Sequence, residues 1–235
     1  EHHQRNRHML IHIANDTLFI NKAVELFERY YPGQNLFFIL TPGLFSTRLH
    51  HVKAGERVIP VPVARPGHVR KIRESVRDGD HLFIHFLSKY NAPIARGISR
   101  RKAVTSYWIF YGSDLYGMLA EKRLYPLFDG KNEFGKRDSR MLRFFKDLLL
   151  TLYFGRTALH SREKFIRDLD YFCFWNPYDY ELLKKHFETR AAFRPFRYFF
   201  SFGLAMPPHD APAGKRGVVI VNQSASVYGN HHTVF

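Results

Sequence analysis

The residues with the clearest chemical potential close the run Trp108-Ile-Phe-Tyr-Gly-Ser-Asp-Leu-Tyr116. An apolar, aromatic stretch stops at Gly112, and Ser113 and Asp114 open a segment of helical spacing. A glycine at that point lets the backbone turn out of a strand, and ligands of open α/β sheets gather at strand carboxyl ends. Asp114 is therefore either a helix cap or a working carboxylate. His85 lies near the end of another apolar run, and His12 alternates with Ile11 and Ile13. Imidazole titrates near neutrality and suits proton transfer, although a satisfied core histidine is the commoner outcome for such a ring. Asn15 and Asp16 follow the His12 run, as cleft lining or as an ordinary turn and cap. Further along, the polar loop Asn222-Gln-Ser-Ala-Ser-Val-Tyr-Gly-Asn-His-His232 follows a buried run. Its backbone N–H groups and hydroxyls can cradle a diphosphate.

Those residues need strands and helices to hold them. Strand-like runs cover Met9–Ala14, Leu36–Leu40, Val58–Val63, His81–Phe86, Ala103–Phe110 and Tyr171–Trp175, with Thr157–His160 and the aromatic Phe196–Phe202 later. The prolines of Val58–Val63 assign that run to an edge. Helical spacing covers Phe19–Tyr31, Val69–Arg77, Asn91–Arg101, Ser139–Phe154, a segment opening at Ser161, and Pro177–Phe187. Strands alternating with helices predict βαβ units in a Rossmann-like, doubly wound, mostly parallel α/β sheet. Residues 1–8 read as a polar extension or cloning remnant, 9–205 as one domain and 206–216 as a linker. Residues 217–235 read as the first strand and loop of a second, truncated domain.

The 235 residues contain 36 Lys and Arg against 21 Asp and Glu, a net charge of +15. Such an excess calls for an anionic partner. No nucleic-acid motif accompanies it, which points away from nucleic acid. A single cysteine, Cys173, excludes an internal disulfide and a cysteine-type zinc site. Phosphate-loop, dinucleotide, G-x-S-x-G and H-E-x-x-H motifs are absent. The longest apolar stretch, Leu148–Phe154, is too short to span a bilayer. Basic residues cluster in 65–77, 96–102 and 131–146. In the last cluster Arg137, Arg140, Arg143 and Lys146 alternate with Met141, Leu142, Phe144 and Phe145. That mixture suits a helix lying on an anionic lipid surface, and equally a core helix with solvated charges.

The islands Leu10-Ile-His-Ile, Phe83-Ile-His85, Trp108-x-x-Tyr-Gly-Ser-Asp-Leu-Tyr116 and Val219-Ile-Val-Asn-Gln-Ser224, with Asn230 and His232, occur in one order. In that order they resemble the bacterial TDP-N-acetylfucosamine:lipid II N-acetylfucosaminyltransferases, the 4-acetamido-4,6-dideoxygalactose transferases of enterobacterial common antigen synthesis. The family's Trp-Gly-x-Asp-Leu-Tyr stands here as Tyr111-Gly-Ser-Asp-Leu-Tyr116. The resemblance implies a GT-B architecture with an acceptor-side N-terminal domain and a nucleotide-sugar-binding second domain. It implies inverting transfer of a deoxy amino sugar from a TDP-linked donor to a polyprenyl-diphosphate-linked saccharide, on the cytoplasmic face of the bacterial inner membrane, without metal or cofactor. Asp114, then His85, become base candidates. His12, Asn15, Asp16, Tyr111, Gly112, Ser113 and Tyr116 become acceptor-binding candidates, and Asn222, Ser224, Ser226, Asn230 and His232 donor-binding ones. With most of the donor half missing, the chain alone is expected to be inactive. The rival expectation is a non-catalytic basic module gripping anionic membrane or nucleic acid.

Overall fold

The alternating pattern resolves into β1 (Leu10–Asn15), α1 (Leu18–Tyr30), β2 (Asn35–Thr41), β3 (Val58–Pro62), α2 (Pro66–Ser75), β4 (His81–His85) and α3 (Asn91–Ser99). It continues through β5 (Thr105–Ile109), α4 (Ser113–Glu121), α5 (Ser161–Asp168), β6 (Tyr171–Phe174), α6 (Pro177–His186) and β7 (Ala192–Pro195). This computed structural model describes residues 8–41, 47–63, 66–124, 148, 151–152 and 160–197. Outside them lie the linker at 206–216, the strand and donor loop at 217–235 with Asn222, Ser224, Ser226, Asn230 and His232, and the basic residues Arg137, Arg140, Arg143 and Lys146. The strand expected at 157–160 also lies outside them, apart from His160. The helix expected at 139–154 is described only at Leu148, Thr151 and Leu152, which have helical backbone.

The seven described strands form one sheet in the order β3-β2-β1-β4-β5-β6-β7, and every pair is parallel. Successive side chains of a strand point to opposite faces. Leu10, Ala14, Phe37 and Ile39 pack on Ile20, Ala23 and Phe27 of α1. Ile11, Ile13, Phe38 and Ile84 face the other way, in one cluster with Ile72 of α2, Ile94 of α3, Met118 of α4 and Ile166 of α5. Helices on both faces make the sheet doubly wound, and its order reverses between β1 and β4. A crevice opens outside the carboxyl ends of strands at such a reversal.

Two local devices set the alignment. On the α1 face, Phe37, His12, Phe83, Tyr107 and Tyr171 occupy neighbouring register positions on β2, β1, β4, β5 and β6. Their rings stack with centroids 4.0, 4.9, 4.5 and 5.0 Å apart, and the Arg194 guanidinium of β7 lies 4.8 Å over Tyr171. At the opposite, amino edge, an aspartate precedes a strand twice. Asp80 accepts from the Met9 and Arg77 backbone N–H groups, joining the starts of β1 and β4. Asp170 accepts from the N–H and hydroxyl of Ser106, joining β5 to β6.

One strand differs from the sequence expectation. The last described strand is Ala192–Pro195 rather than Phe196–Phe202, and Phe196 closes its ladder by donating its N–H to the Phe174 carbonyl. Residues 198–202 are outside the described set. As an outer strand, β7 keeps Ala192, Arg194 and Pro195 exposed, and such a strand needs no apolar run. The charged residue and proline that blunt an edge also hide it from a hydrophobicity reading. β3 takes the opposite edge, as its prolines predict.

Asp80 is buried, and its removal would strand two backbone donors. Asp80→Ala is expected to lower unfolding free energy by about 1–3 kcal/mol. Urea unfolding measures it, and a loss below about 0.5 kcal/mol, the size of an ordinary surface change, would deny Asp80 its clamping role.

Candidate functional site at the carboxyl edge

Three residues after β5 ends at Ile109, Gly112 adopts φ +101°, a conformation side chains rarely tolerate, and α4 starts at the next residue. Gly112 itself is the capping residue, and no side chain caps the helix. Asp114 sits one position inside the first turn and is only 2% exposed. Its Oδ2 accepts from the Trp108 indole N–H (2.7 Å) and the Leu87 backbone N–H (3.0 Å), and Oδ1 accepts from the Tyr111 N–H (3.2 Å). Burial pushes its pKa up to about 6 despite those donors, which favour the charged form. The cap reading of Asp114 needs correcting, since Gly112 takes that position; the carboxylate is a buried brace tying the end of β5 to the turn after β4.

That turn is strained. Phe86 has φ +62°, unusual for a bulky side chain. The Asn91 amide donates to the Phe86 carbonyl at 2.8 Å, and Asn91 Oδ1 accepts from the Ser88 N–H at 2.7 Å. The Ser88 hydroxyl in turn accepts from the Asn91 N–H at 3.2 Å, closing a reciprocal pair across the turn that leads into α3. Asp114 holds the intervening Leu87 N–H. Phe86 is thus fixed on both sides, and its ring stands between two cavities.

The larger cavity, about 870 Å³, is floored by Phe86, Phe110, Tyr111 and Phe174, with Ser113, Trp175 and Arg197 among its other walls. Those residues belong to the carboxyl ends of β4 to β7. The smaller, about 430 Å³, is lined by Asn15, Asp16, His50, His51, Phe86 and Ser88 among others, beyond β1, β2 and β4. Asp16 accepts from the N–H groups of His50, His51 and Val52. Partial burial raises the Asp16 pKa, but the three donors outweigh it and hold the carboxylate below its ordinary range. Asp16 thereby pins the segment that carries both histidines.

A buried polar chain runs beneath these cavities. The Asn35 amide donates to the Glu28 carboxylate and to the Tyr31 carbonyl, so its Oδ1 faces His12 as an acceptor. His12 must then carry its proton on Nε2, 3.3 Å away, and accept at Nδ1 from His85 Nε2–H at 2.9 Å. Burial drives His12 well below the ordinary histidine range. The proximity of His85 adds to that effect and the Asn35 bond opposes it. Burial alone takes His85 down to about 3. Both rings are neutral at physiological pH and fully enclosed.

The structure therefore divides the sequence candidates. Tyr111 and Ser113 line the larger cavity with Gly112 beside them, and Asn15 and Asp16 line the smaller. Tyr116 points elsewhere, donating its hydroxyl to Asp179 at the start of α6. His12, His85 and Asp114 are buried and line neither cavity. Sequence reading missed Phe86, Trp175, Arg197, His50 and His51. Only the His50–His51 doublet carried a signal, two imidazoles shortly after a strand end. Among the described residues no three His, Cys, Asp or Glu side chains converge as metal ligands. Cys173 is a buried thiol pushed up to about 12. Comparison with protein-family models, with curated proteins and with solved structures found no match.

Two pH-dependent outcomes follow from these burials. An asparagine at 114 would turn an amide N–H toward one of three N–H donors, so Asp114→Asn is expected to cost about 1–3 kcal/mol; an exposed cap would tolerate it. With a folded pKa near 6 and an unfolded one near 3.9, the folded state holds a proton the unfolded state has lost. Wild-type stability from this group falls as pH rises between those values, so the gap to Asp114→Asn narrows from about pH 4 to 6. Paired melting curves check it, and a widening gap would refute the buried brace. The histidines act with the opposite sign. Their depressed folded pKa values mean that the unfolded state binds protons first as pH falls below about 6.5. Stability is lost progressively toward pH 3, and His85→Gln is expected to make that loss less steep. Equal slopes in the two proteins would contradict a buried neutral pair.

Proposed function

We propose that this chain is the acceptor-side domain of an inverting glycosyltransferase that takes a polyprenyl-diphosphate-linked saccharide as acceptor. The observation carrying the reading is the aromatic cavity at the carboxyl edge, with Trp175 and Arg197 among its walls. Aromatic faces pack against the apolar faces of sugar rings and against prenyl chains, and a guanidinium pairs with a diphosphate. The exposed Leu18, Phe19 and Tyr178 stand in the loops and helix starts at that same edge, a suitable approach for an amphiphile. The donor, a TDP-linked deoxy amino sugar such as N-acetylfucosamine, is assigned by resemblance to residues outside the described set. So is the contact with an anionic membrane surface through Arg137, Arg140, Arg143 and Lys146. The site of action on this reading is the cytoplasmic face of the bacterial inner membrane.

Inversion needs a base that reaches the acceptor hydroxyl. Asp114 and His85 are buried and line neither cavity. His50 and His51 do better, since both are exposed and line the smaller cavity across Phe86 from the aromatic one. Asp16 fixes their backbone. In this scheme Asp114 acts by position, holding Phe86 and the β4–α3 turn so that the acceptor hydroxyl meets an imidazole.

Of the chain's two tryptophans, Trp108 is buried and Trp175 is 57% exposed beside the cavity. A soluble short-prenyl diphosphate-linked saccharide is expected to change Trp175 fluorescence on binding, and Trp175→Phe to abolish the change. Arg197→Gln should weaken binding about tenfold or more through loss of a charge-assisted bond. Silence of the fluorescence at millimolar ligand would sink the acceptor reading. In transfer assays across a panel of nucleotide-sugars, on a polypeptide that also carries the donor-binding domain, replacing the responsible histidine, His50 or His51, with Asn should lower turnover by about 10²–10⁴-fold. Undiminished turnover in both variants would remove the histidines as bases.

A further inference from the structure

A second cavity of different chemistry lies on the helix layer formed by α2, α3 and α5. About 370 Å³ in volume, it is lined by Arg73, Arg96, Arg100, Arg101, Gly97 and Ser161 among others. The crossover from β4 through α3 to β5 brings the last turn of α3 back toward the amino edge of the sheet. Arg96, Arg100 and Arg101 therefore stand away from the carboxyl-edge cavities. The Nε atoms of Arg73 and Arg96 are buried without a hydrogen-bond partner. Among the described residues no carboxylate pairs with any of the four guanidiniums. Burial, and then the charge of Arg101, pull the Arg73 pKa down, so the cluster opposes itself.

Gly97 makes this arrangement possible. A Cβ there would meet Arg73 Nη2 at 2.8 Å, so the guanidinium of α2 lies flat against the bare backbone of α3. Ser161 opens α5 at the same cavity. Arg73 and Arg96 are half-buried with their Nε atoms enclosed, Arg100 and Arg101 are exposed beside them, and a like-charged group with desolvated donors is stabilised when an anion neutralises it. Arg70, on the outer side of α2, pairs instead with Glu74.

We propose that this cavity binds a phosphoryl group carrying two or more negative charges, either a soluble diphosphate-class ligand or the headgroup of an anionic lipid. Guanidinium forks match phosphate oxygens two at a time, and several of them converge here around a space able to hold a diphosphate. The site is independent of the glycosyl-transfer reading. Trp175 reports the acceptor cavity, and its response is untouched whether or not this site binds.

The test uses the 235-residue chain with inorganic pyrophosphate. At about 100 times its Kd, pyrophosphate is expected to raise Tm by about 5–10 °C. Arg73→Gln/Arg96→Gln should abolish the shift while melting, in anion-free buffer, no lower than the parent, because a repulsion has been removed. Arg70→Gln should keep the shift. If the double variant fails to fold, the exposed Arg101→Gln substitutes for it and should weaken pyrophosphate binding about tenfold. No shift in the parent, an equal shift in the double variant, or parental affinity in Arg101→Gln overturns the site. Co-sedimentation with phosphatidylcholine vesicles containing phosphatidylglycerol separates the two sources. Release of bound protein by pyrophosphate assigns the cavity to the headgroup, and its failure to release assigns the cavity to a soluble ligand.

Discussion

The stacked row through His12 is the constraint on which the architecture turns. Five rings on five adjacent parallel strands meet face to face, and a guanidinium from the sixth strand closes the row. Each aromatic contact contributes roughly 0.5–1.5 kcal/mol beyond its buried area, but the larger consequence is register. A slip of one residue in any of these strands would send its ring to the opposite face and break every stack that ring makes. Parallel strands have no tight turn to set their alignment, so a side-chain row of this kind does that task. Once the register is fixed, the carboxyl ends of β1, β4 and β5 come level, and the residues after them can share a crevice.

The same row explains the state of its one titratable member. His12 lies between Phe37 and Phe83, under Phe27 of α1. A charge there would be severed from water on every side, so the ring persists as a neutral tautomer chosen by the Asn35 carbonyl. His85 inherits its tautomer from His12 through one hydrogen bond. The chain from Glu28 through Asn35 and His12 to His85 therefore links the end of α1 with the end of β4 using polar groups that satisfy one another. Its position inside the sheet makes it a fastener rather than a reacting centre. Asp114 repeats the logic one strand further on. A carboxylate driven under the surface carries a desolvation cost, offset by donors from Trp108, Leu87 and Tyr111. Those bonds keep the strained Phe86 turn standing as a partition between the two cavities.

Much of this was legible in the residues. The strand runs at 10–14, 36–40, 81–85 and 171–174 are apolar on both faces, as buried parallel strands must be. Gly112 marked its turn, helical spacing from Pro177 marked a helix, and the prolines of β3 marked an edge. What stayed hidden depended on packing between segments distant in sequence. Asp114 one residue inside a helix looks like any first-turn acid, and nothing near it shows that Leu87, 27 positions earlier, will press its N–H against the carboxylate. His12 and His85 are 73 residues apart, and alternation alone cannot place them in contact. Arg73 and Arg96 lie in two separate basic clusters, and only the packing of α2 on α3 over Gly97 joins them. β7 escaped because an edge strand's exposed Arg194 and Pro195 suppress the apolar signal by which strands are found.

A net charge of +15 acquires direction from this geometry. Around the carboxyl-edge cavity the described walls are mostly aromatic, with Arg197 as the cation among them, whereas four arginines meet on the helix layer toward the amino edge. A field summed over such a distribution attracts anions over distances of about a Debye length, roughly 8–10 Å at ordinary ionic strength. Selection among those anions then falls to short-range chemistry, which differs between the two places. The helix-layer cavity offers forked donors in a partly desolvated setting and favours compact, multiply charged groups. The carboxyl edge offers aromatic surface beside a single guanidinium and favours a ligand whose charge sits at one end of an apolar body. An amphiphile with a diphosphate joint satisfies the second description and a bare diphosphate the first. Under the two proposals, one sheet, held in register by one row of rings, keeps the two kinds of anion recognition apart.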